Sequence, residues 1–274
     1  MRTPRPADTP IDTRRRSNWQ RRFGSYRYGV TEAGIVDWLD QFGDADRDVA
    51  ARLLDVVEFI SAEQLHAAFR SLLSRLPGWH RSHHHRRGKF AFAAFSSSAG
   101  ESGDNMLHQF RLANSLNHRE FDSLFIGRSD LLRSGLGPDD TVVFLDDFVG
   151  TGNQAVTAWQ KMFQELTAGI GNVYLVTVGA FRVGSDRIKN ETRMQLLSHR
   201  SLGYGDNLFH DECDHFSTEE KRRMLHYCKT ASPDHPCGFG NCGLVIVLYH
   251  QCPNNSLAVL HASSQKWEPL FPRS

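Results

Sequence analysis

Residues 141–154 of the chain read Thr-Val-Val-Phe-Leu-Asp-Asp-Phe-Val-Gly-Thr-Gly-Asn-Gln. Four apolar residues, Val142 to Leu145, lead directly into two acids, and a short glycine-bracketed loop follows the acids. From Ala155 onwards apolar residues recur at helical spacing, with Trp159 and Phe163 on one face. This order predicts a buried strand, an acidic turn, a small loop and a helix.

The loop has the composition of an anion-binding site. Gly150 and Gly152 allow backbone N–H groups to converge, and the N-terminus of the following helix adds a partial positive charge. Two adjacent carboxylates before such a loop are costly unless they meet a cation or sugar hydroxyls. We therefore expect Asp146 and Asp147 to contact a ligand of that kind. The plainer alternative is an ordinary strand, turn and helix. A Walker-type loop is excluded because no Lys-Ser or Lys-Thr follows the glycines.

The segment resembles the signature that binds phosphoribosyl pyrophosphate (PRPP) in the type I phosphoribosyltransferases. That signature is a hydrophobic strand, two acids, two mostly apolar residues and a Thr/Gly-rich loop. The resemblance implies that Asp146 and Asp147 are catalytic residues that hold the ribose 2′ and 3′ hydroxyls. It further implies that the loop amides and the Thr151 hydroxyl bind the 5-phosphate, with contributions from Gly150, Thr151, Gly152, Asn153 and Gln154.

A second small-residue loop, at 96–103, follows the first predicted strand of the sheet. In the resembled fold this loop binds the pyrophosphate of PRPP, which makes Ser98, Gly100 and Gly103 candidate binding residues. The alternative is a surface loop. Arg128 is the favoured cation for pyrophosphate, and Arg111 and Arg182 are further candidates. Mg²⁺ is the implied cofactor, held by PRPP oxygens and a few carboxylates.

The wider sequence resembles one bacterial phosphoribosyltransferase-like family in particular. The resemblance rests on the Asp-Asp-Phe-Val-Gly-Thr-Gly-Asn loop, on Pro253-Asn-Asn-Ser-Leu257 and on the ending Trp267-Glu-Pro-Leu-Phe-Pro-Arg273. The family is predicted to act in conflict and anti-phage systems. This implies an antiviral defence effector and leaves the acceptor undefined.

Alternating strand and helix patterns predict an α/β fold with a largely parallel, phosphoribosyltransferase-like sheet flanked by helices. We expect residues 1–18 to be a disordered arm, 19–88 a helical N-terminal cap, and 89–274 the core with a C-terminal hood-like segment. The strands are expected at 89–95, 123–127, 141–145, 172–181 and 243–250.

Composition narrows the class of protein. The chain has 274 residues, is 40% hydrophobic and carries a net charge of +1, which does not favour nucleic acid or membrane as a partner. No apolar run approaches the roughly 20 residues of a membrane span. The odd number of cysteines indicates reduced thiols and a cytoplasmic protein. Only the Arg-rich arm, Arg14 to Arg16, would suit nucleic acid, and a solvated arm is the alternative.

All the cysteines lie between Leu208 and Cys252, together with several histidines. A zinc site would have to use His210, Cys213, Cys237 and Cys242. Because no Cys-x-x-Cys pair exists, we expect the cysteines to be metal-free. The run His83 to His85 is expected to be a solvated loop rather than a metal site.

Three functions remain open from the sequence. The first is a glycosyltransferase that transfers or removes a phosphoribosyl group. The second is a non-catalytic PRPP or nucleotide sensor, or a regulatory subunit of a multi-protein complex. The third, an RNA-binding accessory protein, depends only on the arm and the basic loop. A protein partner or a homo-oligomer is compatible with each. The short connection from Arg128 to Asp140, where many phosphoribosyltransferases carry a closing loop, favours the second.

Overall fold

The computed structural model describes residue 11 and residues 13–95 and 102–273. They form two compact units, one comprising Met1–Ala62 with Gly203–Ser274 and the other Glu63–Leu202. None of the described helices has both the length and the apolar character needed to cross a membrane.

The elements are numbered in chain order. The helices are α1 (Thr13–Phe23), α2 (Glu32–Leu39), α3 (Arg47–Val56), α4 (Ala62–Ser74), α5 (Ser102–Ala113), α6 (Asn153–Ala158), α7 (Gln164–Leu166), α8 (Arg182–Glu191), α9 (Thr218–Ala231) and α10 (Ala258–His261). The strands are β1 (Glu58–Ile60), β2 (Phe90–Ala94), β3 (Thr141–Val149), β4 (Asn172–Phe181), β5 (Gln195–Leu202) and β6 (Ile246–Leu248). A π-helical turn, Trp159–Phe163, joins α6 to α7.

The unit Glu63–Leu202 is built on a four-stranded sheet in the order β2-β3-β4-β5. Every pairing in it is parallel. The fully apolar run of β3 explains its central place, since a parallel strand is covered on both faces. The predicted α/β fold with a parallel sheet flanked by helices is confirmed.

The segment predicted as a strand at 123–127 does not form one. Residues Arg119–Leu124 are a 3₁₀ helix, and one parallel bridge, Phe92 to Phe125, joins the segment to the outer edge of β2. The Ile126 N–H donates to the Phe92 carbonyl at 3.1 Å. The side chains of Phe121 and Leu124 are buried from this short helix, which explains the apolar signal. The segment therefore joins the outer edge of β2 through an isolated bridge rather than as a strand.

Helices cover the two faces of this sheet. On one face Phe92 packs against Phe110 of α5 at 5.1 Å between ring centroids, and Phe69 of α4 packs against Phe110 at 5.5 Å. On the other, Phe144 of β3 packs against Phe163 of the π-helical turn at 4.6 Å. The same cluster contains Ile188 of α8. The helix after β2 and the helix after β3 thus cover opposite faces of the sheet, so the chain changes face between these two strands.

The unit Met1–Ala62 with Gly203–Ser274 has its own core. The indoles of Trp38 and Trp267 both donate to the Val259 carbonyl, at 2.9 and 3.0 Å. The phenol of Tyr26 donates to the Pro272 carbonyl at 2.6 Å. These bonds tie the last residues of the chain to the first helices.

The compact units therefore divide the chain differently from the domains expected from sequence. Helix α4 groups with the parallel sheet, and residues 203–274 group with the N-terminal helices. The strand predicted at 243–250 is shorter, and it pairs as β6 with β1 in a separate two-stranded sheet. Residues 58–60, within the expected helical cap, form β1 instead. The sequence predicts helix there because Phe59 and Ile60 continue the apolar spacing of α3.

Residues 13–18, assigned by composition to a disordered arm, form the first part of α1. Arg15 pairs with Asp55 of α3 at 2.6 Å, and the guanidinium lies over the Trp19 ring. The Trp19 indole donates to the same carboxylate at 2.8 Å. Arg15 is thus held within the protein, which a low-hydrophobicity pattern does not reveal. Residues 1–10 and 12 lie outside the described part.

We predict that Asp55→Ala lowers the free energy of unfolding by about 2–3 kcal/mol, because it leaves Arg15 and Trp19 without their shared acceptor. Asp55→Asn should cost less, since its side-chain oxygen still accepts from Trp19. The exposed Asp44 provides a control, and Asp44→Ala should change stability by less than about 0.5 kcal/mol. Urea unfolding measures all three. Equal values for Asp55→Ala and Asp44→Ala would contradict this anchoring role.

Candidate active site

The two acids lie at the carboxyl end of β3, inside its ladder. The strand continues through Asp146 and Asp147 to Val149, and Asp146 is in register with Thr177 of β4. Asp146 is buried, at 8% exposure, whereas Asp147 is half-buried. The backbone ladder thus fixes a carboxylate at the sheet edge where ligands bind in open parallel folds.

The Asp146 carboxylate is positioned by two donors. The Ser102 hydroxyl donates to Oδ1 at 2.7 Å, and the Asp147 N–H donates to Oδ1 at 2.9 Å. Burial raises the pKa of the Asp146 carboxyl well above its ordinary value, and the adjacent Asp147 carboxylate raises it further. The two hydrogen bonds oppose that rise because they stabilise the ionised form.

The glycine-bracketed loop leads directly into α6. Gly152 has φ +75° and immediately precedes α6, so the helix begins at a left-handed residue. The first-turn N–H groups of a helix have no partner within the helix, which leaves them able to bind an anion. The Thr151 hydroxyl accepts from the Asn153 N–H at a long 3.4 Å. Gln154 is exposed on the first turn of α6.

Helix α8 packs against this loop, which the sequence did not reveal. A Cβ at Gly184 would lie 2.3 Å from the Gly150 carbonyl oxygen and 2.8 Å from the Gly152 nitrogen. Arg187, one turn further along α8, donates to the Asn153 side-chain oxygen and pairs with Glu191 at 2.7 Å. The available signal was a glycine in the first turn after the next strand.

Among the other cation candidates, Arg111 is already engaged. It contacts Asp122 and donates to the Leu116 carbonyl at 3.1 Å, and its guanidinium lies over Phe125. Arg182 begins α8 and pairs with Asp186 at 3.7 Å on an exposed surface. Arg128, half-buried, begins the 3₁₀ helix Arg128–Arg133 just beyond the bridge to β2.

The second small-residue loop is described only at its end. Ser98 and Gly100 lie outside the described residues. Gly103, in the first turn of α5, is buried against the end of β2, and a Cβ there would lie 2.7 Å from the Phe95 carbonyl oxygen. Gly103 therefore allows α5 to start directly beside the strand, as the predicted loop requires.

The metal candidates do not assemble. Within residues 13–95 and 102–273, no group of three or more His, Cys, Asp or Glu side chains could hold a metal ion. All five cysteines are free thiols. The side-chain amide of Asn255, in the segment Pro253-Asn-Asn-Ser-Leu257, donates to the Phe239 carbonyl at 2.9 Å within its own unit.

Comparison with known proteins identifies the family. The PRTase-CE profile matches residues 35–273. The chain belongs to the PRTase-CE family. The resemblance found in its sequence is thereby confirmed, and this PRTase-CE protein is phosphoribosyltransferase-like. No curated protein is significantly similar to it in sequence.

Two solved structures show distant similarity to this PRTase-CE protein. The AQ2163 protein of Aquifex aeolicus is 14% identical, with 63% of this chain and 83% of that chain covered and a TM-score of 0.34. The APRTase of Giardia lamblia, complexed with 9-deazaadenine, is 13% identical, with 51% and 78% covered and a TM-score of 0.31. The assignment rests on the family match and the parallel sheet, not on these scores.

We predict that Gly184→Ala lowers stability by about 1–3 kcal/mol, because the new Cβ would overlap the backbone of the loop. Gly169 is a matched control, since a Cβ there meets nothing within 4 Å. Gly169→Ala should therefore change stability by less than about 0.5 kcal/mol. Thermal or urea unfolding compares them, and equal effects would show that α8 does not press on the loop.

Thr177 gives a second prediction. Its side chain is fully buried beside Asp146 in the sheet, and its hydroxyl oxygen has no hydrogen-bond partner among the described residues. Thr177→Val, which has nearly the same shape, should therefore stabilise the protein by about 1 kcal/mol. Thr177→Ser, which keeps the hydroxyl, should not stabilise it. Loss of stability in the valine variant would show that the hydroxyl has a partner.

Proposed function

We propose that this protein binds PRPP or another ribose 5-phosphate compound at the carboxyl ends of β2 and β3 and transfers or removes its phosphoribosyl group. The observation that carries the proposal is the arrangement of Asp146 and Asp147 on β3 directly before the left-handed Gly152 and the start of α6. An acid pair and a phosphate-sized loop lie a few residues apart, as the two ends of a ribose 5-phosphate require.

Each part of the site has a proposed contact. The carboxylates of Asp146 and Asp147 accept hydrogen bonds from ribose hydroxyls. The loop from Gly150 to Gln154 receives the 5-phosphate, with Arg187 beside it as a source of positive charge. Pyrophosphate would lie near the start of α5, where the chain changes face between β2 and β3. Arg128, just beyond the bridge to the outer edge of β2, is the candidate cation for it.

In the proposed reaction the bond between ribose C1 and pyrophosphate oxygen breaks, and C1 forms a bond to an acceptor. Pyrophosphate leaves with the electron pair of the broken bond, and the nucleophilic atom of the acceptor loses its proton. Positive charge develops on the ribose ring, which the adjacent carboxylates stabilise. When bound, Mg²⁺ would neutralise charge on pyrophosphate. A magnesium that arrives on pyrophosphate oxygens suits a site whose described residues include no three-ligand cluster.

A non-catalytic sensor is the second candidate, favoured by one observation. The connection from Arg128 to Asp140 is short, and its first half is the 3₁₀ helix Arg128–Arg133. A site with little to close over it excludes water poorly, which disfavours transfer more than binding.

One experiment separates the two. The protein is incubated with PRPP, Mg²⁺ and a mixture of bases and nucleotides, and the products are identified by mass spectrometry. A new ribosylated product with release of pyrophosphate supports a transferase, and ribose 5-phosphate with pyrophosphate supports removal. Saturable PRPP binding without turnover supports the sensor. Absence of binding refutes both.

An effector role in bacterial defence is a further part of the proposal, supported by the family resemblance. Induced expression in a bacterial host measures it. Growth arrest should require the two acids, so a variant with Asp146→Asn and Asp147→Asn should be harmless at the same protein level.

We predict that Asp146→Asn combined with Asp147→Asn abolishes calorimetric binding of PRPP while the protein stays folded. Unchanged PRPP affinity in the folded double variant would contradict the proposal that Asp146 and Asp147 bind PRPP.

A second prediction concerns stability. The raised pKa of Asp146 means that ionising its carboxyl costs folding free energy. Stability from this group is therefore present below the ordinary carboxyl pKa and is lost as the pH rises through the raised pKa. Asp146→Asn should accordingly be more stable than the wild type above that pKa, and the difference should vanish in acid.

A further inference from the structure

We infer that Ser102 is a positioning residue for the ribose subsite, holding the Asp146 carboxylate in a fixed orientation at the carboxyl end of β3. The inference rests on the proposed function and adds a residue that lies outside the acid pair and the phosphate loop. Ser102 is the first residue of α5 and precedes Asp146 by 44 positions. Its hydroxyl donates a 2.7 Å hydrogen bond to the Asp146 carboxylate and so joins α5 to β3.

The distribution of donors on the carboxylate carries the first step. Two donors meet at Oδ1 of Asp146, the Ser102 hydroxyl and the Asp147 N–H. The Asp147 side chain is a further hydrogen-bond partner of the carboxyl group. A carboxylate has acceptor capacity on two oxygens. Fixing Oδ1 between two donors therefore orients the carboxyl group.

The rigidity of Ser102 carries the second step. Its neighbour Gly103 is packed so tightly that a Cβ would lie within 3.0 Å of three backbone atoms of Phe95. The start of α5 is thus pressed onto the end of β2 and cannot shift without moving the strand. The backbone of Ser102 is therefore held in place by packing, and its hydroxyl reaches Asp146 from that position.

The location carries the third step. Strands β2 and β3 are neighbours in the sheet, and α5 and α6 leave them towards opposite faces. Ligands of such sheets bind in the crevice that this change of face creates. The hydrogen bond from Ser102 to Asp146 spans that crevice, so it links the side where pyrophosphate is proposed to bind with the ribose side.

Charge gives independent support. The environment of Asp146 opposes ionisation, because burial and the Asp147 carboxylate both raise the pKa of its carboxyl. A carboxylate accepts hydrogen bonds from two ribose hydroxyls best when it is ionised. The Ser102 hydroxyl counteracts the effect of burial on Asp146, since donation to a charged group is stronger than donation to a neutral one.

The test compares Ser102→Ala with Ser102→Thr, which keeps the hydroxyl, by calorimetry with ribose 5-phosphate and with inorganic phosphate. Ser102→Ala should weaken ribose 5-phosphate about tenfold, as expected for one hydrogen bond to a charged group. It should leave phosphate affinity within about twofold, because phosphate binds at the loop. Ser102→Thr should restore most of the ribose 5-phosphate affinity. Ser74→Ala, which removes a hydroxyl bonded only to the Ser71 carbonyl, is the control.

Each outcome has one meaning. Loss confined to ribose 5-phosphate and rescued by threonine supports positioning. Equal loss for both ligands, failure of threonine to rescue, or wild-type affinity in Ser102→Ala overturns it and leaves the proposed function standing. Failure of the wild-type protein to bind ribose 5-phosphate and PRPP refutes the proposed function, and the positioning role with it. Should Ser102→Ala unfold, Ser102→Gly and Ser102→Thr give the same comparison.

Discussion

The candidate site depends on one constraint: the charged residues of β3 remain inside the hydrogen-bonded ladder of a parallel sheet. Because the strand continues through Asp146 to Val149, the carboxylate cannot move towards water as it would in a loop. It is held in register with Thr177 at the edge where the chain changes face. Burial of the carboxylate, its raised pKa and its need for donors all follow from that placement.

Locally unfavourable features gather around this edge. They are a buried acid next to another acid, and a buried hydroxyl without a partner among the described residues. Each costs stability in the free protein, and such features tend to persist where a ligand compensates for them. Their concentration at the ends of β3 and β4 is therefore an argument for a site that does not depend on the motif.

Local patterns predicted what local interactions determine. The strand expected at 172–181 is β4, and a loop and a helix follow β3 as expected, because apolar runs and glycines act on their own neighbours. The expected acidic turn is wrong: the strand does not end at Leu145 but continues through both acids to Val149. Strand β5 was not predicted because it is an edge strand whose side chains, apart from Leu202, are half-buried or exposed. The hydrogen bond from the Trp38 indole to the Val259 carbonyl, which the Trp267 indole shares, spans more than 200 residues and has no periodic signal in the sequence. The acids and the loop could be predicted because their signal is local. The hydrogen bond from Ser102 to Asp146 and the packing of α8 on the loop could not, because they join residues far apart in the sequence.

The packing of α8 changes how the phosphate loop itself is understood. Gly152 is required by its positive φ, but its surroundings also depend on Gly184, which brings the helix after the next strand to within contact of the loop. Arg187 then places a guanidinium at Asn153, in the first turn of α6. The loop conformation is thus set jointly by two consecutive strand–helix units. A motif confined to one of them describes only half of the structure that would bind the phosphate.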